Sequence, residues 1–429
     1  MQLKMIFVLF AFSFNTWAHE DWNLKKLSLD KARNINFIKH EDQTSYLMLN
    51  LNYEPFKEYF EKADQYTYSP LKTRGEAHIT VITPPEFQDD LTKFVSIKEI
   101  DEIAEKMNIQ KSNFKPLCMG KGSFVENEKY LESYFIVVES EDLLNIRKEI
   151  AKLYKSRGGL KFDPLHFNPH ITLGFTDRDL YEGDGVIKNI TSCLKTLHIS
   201  PKASTVPGLP FISNASYVEK NKKGGAIIRG NAPLNYKNLK LMQDFGITEI
   251  VIFKKDSRGE VKGEINGLYS AGFKKDNITN IAFDWADNQD FVGGCKKFIQ
   301  GIDILKLAIK NNKKVFFHCT TGEDRTGALA ANYLLSQKKG TTIKKLFTEE
   351  MCNKGYEAGD PDKDLEVVEK IRTGLTKTFL KTAYRIDEAK KKNMPIDDKL
   401  CEKDPDGEKG YIQYSNQMKF ICGKDSMKI

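Results

Sequence analysis

His78-Ile79-Thr80 and His170-Ile171-Thr172 repeat one tripeptide 92 positions apart, inside the strand-like runs Ala-His-Ile-Thr-Val-Ile and Pro-His-Ile-Thr-Leu-Gly-Phe. Side chains alternate faces along a strand, so the His and Thr of each copy emerge together while the Ile between them points into a core. Two such strands facing each other would gather two imidazoles and two hydroxyls around one cavity. One imidazole can take a proton from water and the other can protonate a leaving oxygen, while the hydroxyls of Thr80 and Thr172 donate to phosphoryl oxygens. No metal or other cofactor is needed for this, and which histidine is base and which acid stays open. A third copy, His198-Ile199-Ser200, lacks the Pro-His-Ile-Thr-Leu setting and is a weaker candidate.

A different chemistry is spelled out between residues 315 and 334. A short apolar strand ends at His318-Cys319, the loop Thr320-Thr321-Gly322-Glu323-Asp324-Arg325-Thr326-Gly327 follows, and an Ala- and Leu-rich helix begins. A tight loop entering a helix collects backbone N–H groups around one anion. Those dipoles, with Arg325, favour the thiolate of Cys319 over its thiol, and the guanidinium can hold two phosphoryl oxygens. Residues 320–324 and Thr326 are therefore the expected phosphate cradle.

Around these motifs the sequence resembles two known families. Residues 22–205, with both His-x-Thr copies and the segment Phe167-Asn168-Pro169-His170-Ile171-Thr172-Leu173, are similar to the 2H phosphoesterase superfamily. The resemblance implies a bilobal α+β fold acting on 2′,3′-cyclic phosphate ends of RNA or nucleotides, or on related diesters. Residues 224–390, with His-Cys-x-x-Gly-x-x-Arg-Thr-Gly, resemble the protein tyrosine and dual-specificity phosphatases. By that resemblance Cys319 attacks a phosphomonoester, Arg325 binds it, and Thr326 stabilises the departing thiolate. Trp285-Ala286-Asp287, 32 residues before Cys319, is similar to the family's Trp-Pro-Asp acid loop with Ala in place of Pro, making Asp287 the first candidate acid. Asp324 and Asp284 are its rivals, since only a carboxylic acid poised over the leaving oxygen can protonate it.

The elements that must carry these residues are readable in outline. Candidate strands are 46–51, 77–82, 134–138, 170–175 and 196–199, with helical spacing over 97–107 and 142–155, an α+β pattern. Residues 206–223, rich in Pro, Ser, Asn and Lys, read as a linker. Residues 224–392 alternate short strands with long helices, as in an α/β domain with a central, mostly parallel sheet flanked by helices. A tail, 393–429, follows. The 429 residues suit two globular domains, and 40% hydrophobic residues without repeats exclude a solenoid or a disordered chain. A net charge of +7 tolerates anionic partners without marking a nucleic-acid binder.

Residues 1–18, with one early Lys, a short apolar run and a small residue at the end, read as a cleavable export signal, placing the protein in the periplasm or outside the cell. Of seven cysteines, an odd number, Cys319 is expected to be the unpaired one, and Cys401 with Cys422 to close a local loop in the tail. The combined expectation is an exported enzyme that opens a cyclic phosphodiester and removes the phosphate left behind, as in RNA repair or nucleotide processing. The alternatives are an exported phosphatase for phosphoinositides, inositol phosphates or phosphoproteins, and a chain in which one domain only binds its ligand. No stable membrane insertion is expected.

Overall fold

A computed structural model describes residues 46–416 apart from 128, 195–199, 201, 257–258, 285–289, 339 and 360–363, together with 22, 24, 27, 29–33, 37, 418 and 422. The expected signal segment 1–18, the expected strand 196–199 with His198, and Asp287 lie outside the described residues. In the N-terminal half, α1 (Leu29–Ala32) precedes β1 (Leu47–Leu51), α2 (Glu54–Asp64), β2 (Ala77–Ile82), α3 (Ile97–Lys106), β3 (Lys115–Glu126), β4 (Lys129–Glu139), α4 (Glu141–Ser156) and β5 (His170–Phe175). β1 and β2 form an antiparallel pair, and β3-β4-β5 a second antiparallel sheet.

Local signals explain several of these elements. Ser96 and Glu99 close a reciprocal capping box that starts α3, and the Ser140 hydroxyl caps α4. Leu143, Ile146, Ile150, Ala151 and Tyr154 then form one buried stripe along α4. That stripe also carries Arg147, which is 1% exposed. Its guanidinium donates to the carbonyls of Val81, Asp163, Pro164 and His166 and pairs with Glu86 at 2.6 Å. One buried cation thus ties the end of β2 to the segment leading into β5, the two strands that carry the His-x-Thr copies. Both strands bury the expected residues, Ile79 and Ile171 being 0% exposed, and β2 packs beside β5.

The C-terminal half runs β6 (Ser216–Lys220), β7 (Ala226–Gly230), α5 (Tyr236–Asp244), β8 (Glu249–Ile252), α6 (Glu260–Ala271), β9 (Ile278–Asn280), α7 (Phe291–Lys310), β10 (Lys314–His318), α8 (Asp324–Gln337), α9 (Ile343–Glu350), α10 (Leu365–Ile371), α11 (Lys377–Lys391) and α12 (Lys409–Asn416). The sheet order is β6-β7-β10-β8-β9; all pairs are parallel except β6 with β7. Strand alternation sends Ile227, Val251, Val315 and Phe317 to the face covered by α7, α8 and α11, and Ile228, Ile250, Ile252 and Phe316 to the face covered by α5 and α6. Strands buried on both faces read as continuous apolar runs, which is how β7, β8 and β10 appear in the sequence.

Two expectations are corrected here. Residues 206–223 are not a linker: Val206, Leu209, Ile212 and Ala215 join the core, and β6 is an edge strand of the main sheet. An edge strand tolerates polar residues on its open side, so polar composition concealed it. The tail disulfide Cys401–Cys422 is replaced by Cys295–Cys401 and Cys352–Cys422, with Cys118–Cys193 in the N-terminal half and Cys319 free. The tail is not coreless, because Cys401, Tyr411 and Met418 are buried against the α7, α8 and α11 layer. A cross-link closing a loop 106 residues long restrains the unfolded chain strongly. Replacing Cys295 and Cys401 together by Ala is therefore expected to cost about 4 kcal/mol, and chemical denaturation of the oxidised protein will read it. A loss below about 1 kcal/mol would show that the tail docks without the bond.

Among the described residues no helix is long and apolar enough to cross a membrane.

Candidate active sites

Pairing of β4 with β5 puts Val137 opposite His170 and Phe135 opposite Thr172, so these side chains share a face. The His170 ring stands edge-on to Phe135 at 5.7 Å. Its Nδ1 lies 2.8 Å from the Asn168 carbonyl, an atom that can only accept, so Nδ1 donates and Nε2 is left with its lone pair. Burial pushes His170 well below the ordinary imidazole value; Lys188 and His78 add to this, and the Asn168 carbonyl and Asp179 oppose it. His78 is lowered by burial too, with Glu76, 3.9 Å from its Nδ1, pulling the other way. The two rings stand in one electrostatic field, both neutral near pH 7.

The two threonines differ. Thr80 shares the half-exposed face of β2 with His78. The Thr172 hydroxyl, expected to reach a phosphoryl oxygen, instead donates to Asp179 at 3.1 Å and stands 3.4 Å from Lys188 Nζ. Asp179 is the hub that the sequence did not reveal. It also accepts from Ser133 Oγ at 2.5 Å, from Lys188 at 2.8 Å and from the Leu180 N–H at 2.9 Å. Lys188 is 4% exposed, between the rings of Phe135 and Tyr181. Arg74, bonded to the Tyr181 hydroxyl at 3.2 Å, adds a second cation. No spacing pattern links positions 74, 133, 179 and 188; only the fold assembles them. A groove of about 630 Å³ opens on the Val137 side, walled by Leu117, Leu165, Phe167, Ile190 and Lys188 among others.

At the other site β10 delivers Cys319 into the loop before α8, leaving it 2% exposed. Burial alone would raise this thiol, but Arg325, the Thr326 hydroxyl and the N–H groups of Thr326 and Gly322 outweigh it and bring it down to about 6. The loop carbonyls are held outward by donors on neighbouring segments. The Ala232 N–H binds the Thr320 carbonyl at 3.1 Å, Asn214 and Arg229 bind that of Gly322 at 3.1 and 2.7 Å, and Arg229 reaches that of Glu323 at 3.3 Å. With the carbonyls turned out, the N–H groups face the cavity. Arg229 is 0% exposed and anchored by Glu350 at 3.0 Å, so it builds the loop rather than meeting a ligand. Gly322 has φ +70° and lies against the Gly230 backbone, where any Cβ would collide. Arg325 rests on the Thr320 hydroxyl at 3.1 Å, open towards the cavity.

Glu323 and Asp324 make this loop look anionic in the sequence, but burial pushes Glu323 up to about 7 and Asp324 well above the carboxylate range, with Glu357 and Cys319 adding to both. Asp324 Oδ1 accepts the Glu357 N–H at 2.9 Å. Asp284 pairs with Lys255 at 3.0 Å. Among the described candidates for the acid, Asp324 is the one whose carboxyl is raised and interacts with Cys319. A carboxyl raised above its unfolded value of 3.8 loses stability for the fold as pH climbs from there towards the folded pKa. Asp324→Asn keeps the acceptor for Glu357 and is expected to melt above wild type at pH 8 by about 2–4 °C per kcal/mol gained, and equally at pH 4. A variant that melts lower at pH 8 would refute the raised carboxyl.

The N-terminal half is similar to a domain of phosphoric ester hydrolases. Residues 45–181 match the family model described as Swiss Army Knife, 2H phosphoesterase domain. No curated protein matches the chain significantly in sequence. Similar solved structures include TpbA of P. aeruginosa, 23% identical over 42% of this chain and 96% of its own, TM-score 0.28. The PTP-2 phosphatase of Cydia pomonella is 15% identical over 37% and 88%, TM-score 0.27. PTPMT1 is 12% identical over 42% and 99%, TM-score 0.29. At scores this low the likeness decides nothing about chemistry, which follows from the atoms around Cys319.

Proposed function

We propose that the chain is an exported bifunctional phosphoesterase that opens a 2′,3′-cyclic phosphodiester at the His78/His170 site and hydrolyses the resulting monoester at Cys319. Supporting it above all is the coexistence of two unlike, individually tuned sites: neutral imidazoles beside Arg74 and Lys188, and a thiol lowered to about 6 inside a ring of amides.

At the first site His170 Nε2 takes a proton from water, the oxygen attacks phosphorus, and the P–O bond to one ribose oxygen breaks. His78, beside Glu76, takes up a proton from solvent when the anionic substrate binds and passes it to that oxygen, and His170 afterwards returns its proton to solvent. Arg74 and Lys188 offset the developing charge. At the second site the Cys319 thiolate displaces the ester oxygen, which an aspartic acid protonates; Asp324 and Asp287 are the candidates. Water, deprotonated by the same carboxylate, then cleaves the P–S bond, releasing phosphate and the thiolate, with Thr326 against the sulfur. RNA ends or nucleotides are the substrates this sequence of steps fits. Three disulfides and the signal-like first eighteen residues support export.

An oligoribonucleotide bearing a 2′,3′-cyclic phosphate end tests the proposal. Wild type is expected to yield a hydroxyl end plus inorganic phosphate. A ring left intact by wild-type protein would end the RNA-end assignment.

A further inference from the structure

Glu264, on α6, is a buried carboxylate with no evident duty. Its side chain is 0% exposed, and neither oxygen has a hydrogen-bond donor among the described residues. Its nearest polar partner is His318 Nε2 at 2.7 Å, without hydrogen-bond geometry between them. A charge sequestered this way opposes folding unless something else retains it. His318 is also 0% exposed, lies over Phe316, and places Nδ1 2.8 Å from the carbonyl oxygen of Cys319. The path from Glu264 to the nucleophile is therefore one imidazole long.

The N-terminal half packs on α6 beside Glu264. Tyr68 lies against Gly263 and Gly267, and Tyr130 across Gly259 and Gly263; a Cβ at 263 would come 2.7 Å from the Tyr130 ring, and one at 267 would come 2.7 Å from Tyr68 Cβ. The Tyr68 hydroxyl donates to the Pro233 carbonyl at 3.1 Å. Burial raises the Tyr68 phenol, and the charge of Glu264 raises it further, with Lys121, Glu132 and Glu260 also in range. Facing Cys319 itself are Arg325, Thr326, Arg229, Glu323 and Asp324.

We propose that Glu264 is a positioning residue for Cys319, anchoring the His318 ring that holds the Cys319 carbonyl, and that Tyr68 of the N-terminal half is the cover that keeps this carboxylate dry. The inference rests on Cys319 being the nucleophile. The Cys319 carbonyl holds one ring nitrogen and Glu264 faces the other, so the carboxylate fixes the ring that holds the backbone of Cys319. An amide at position 264 loosens that hold, and with it the alignment of the loop N–H groups that favour the thiolate.

The experiment follows the rate of Cys319 alkylation by iodoacetamide against pH in the full oxidised chain, for wild type, Glu264→Gln and Tyr68→Ala, alongside kcat and KM for p-nitrophenyl phosphate. Glu264→Gln is expected to move the alkylation midpoint upward, slowing the reaction below that midpoint about 10-fold, and to lower kcat with little change in KM. Tyr68→Ala is expected to move it the same way by less. A Glu264→Gln midpoint equal to wild type with kcat unchanged overturns the role of Glu264. Should that variant not fold, an unchanged midpoint in Tyr68→Ala overturns the proposal instead. A wild-type midpoint at the ordinary thiol value would sink the nucleophile assignment itself.

Discussion

Cys319→Ser is expected to lose phosphomonoesterase activity about 10⁴-fold or more while ring opening proceeds at the wild-type rate. A thiol brought to about 6 is mostly thiolate at pH 7, whereas a serine hydroxyl in the same amide ring stays protonated. The loss falls on kcat, because Arg325 and the loop N–H groups remain to bind phosphate and KM reflects them. With an oligoribonucleotide carrying a cyclic phosphate end, this variant should accumulate the monophosphate. In wild type the monoesterase rate should rise as pH passes upward through about 6, since the depressed thiol pKa sets the acid limb. Retention of more than about a tenth of the monoesterase activity in Cys319→Ser, set against the expected loss, would remove cysteine from the mechanism.

His170→Ala should do the converse. Removing the Nε2 acceptor is expected to lower diester hydrolysis by about 10²–10⁴-fold, with p-nitrophenyl phosphate turnover at Cys319 unchanged. His78→Ala should fall in the same range, because each imidazole serves one half of the proton traffic. Burial and Lys188 hold His170 far below the usual imidazole value, so the base stays unprotonated well into mild acid, and the acid limb of diester hydrolysis lies below pH 6.5. End-group analysis of the same oligoribonucleotide should show a closed ring in both variants. Full ring opening in either one would mean the two strands do not form a working pair.

The contrast between the two sites shows where sequence suffices. The cysteine loop is continuous in the chain, and a strand, a turn with an obligatory Gly322 and a helix start fix one another locally, so the placing of Cys319, Arg325 and Thr326 on one loop could be read before any coordinates. The His-x-Thr strands were legible for a related reason: alternation on a half-buried strand couples His78 to Thr80 and His170 to Thr172, whatever packs against them. Their partners were not. Asp179, Lys188, Arg74 and Ser133 come from separate segments, and so does Arg147, which holds the two strands in place.

What the sequence by itself determined, then, is the chemistry carried on contiguous segments: the reactive groups, their strands and helices, and the oddness of the cysteine count that left Cys319 free. Tertiary structure decided what depends on meeting at a distance. It paired Cys401 with Cys295 and Cys422 with Cys352, turned residues 206–223 into core and an edge strand, joined the Thr172 hydroxyl to Asp179, and raised the carboxyls of Glu323 and Asp324 by burial. The physical reason is common to all four: burial and long-range contact set the energy of a polar group or thiol, and neither is a property of its neighbours along the chain.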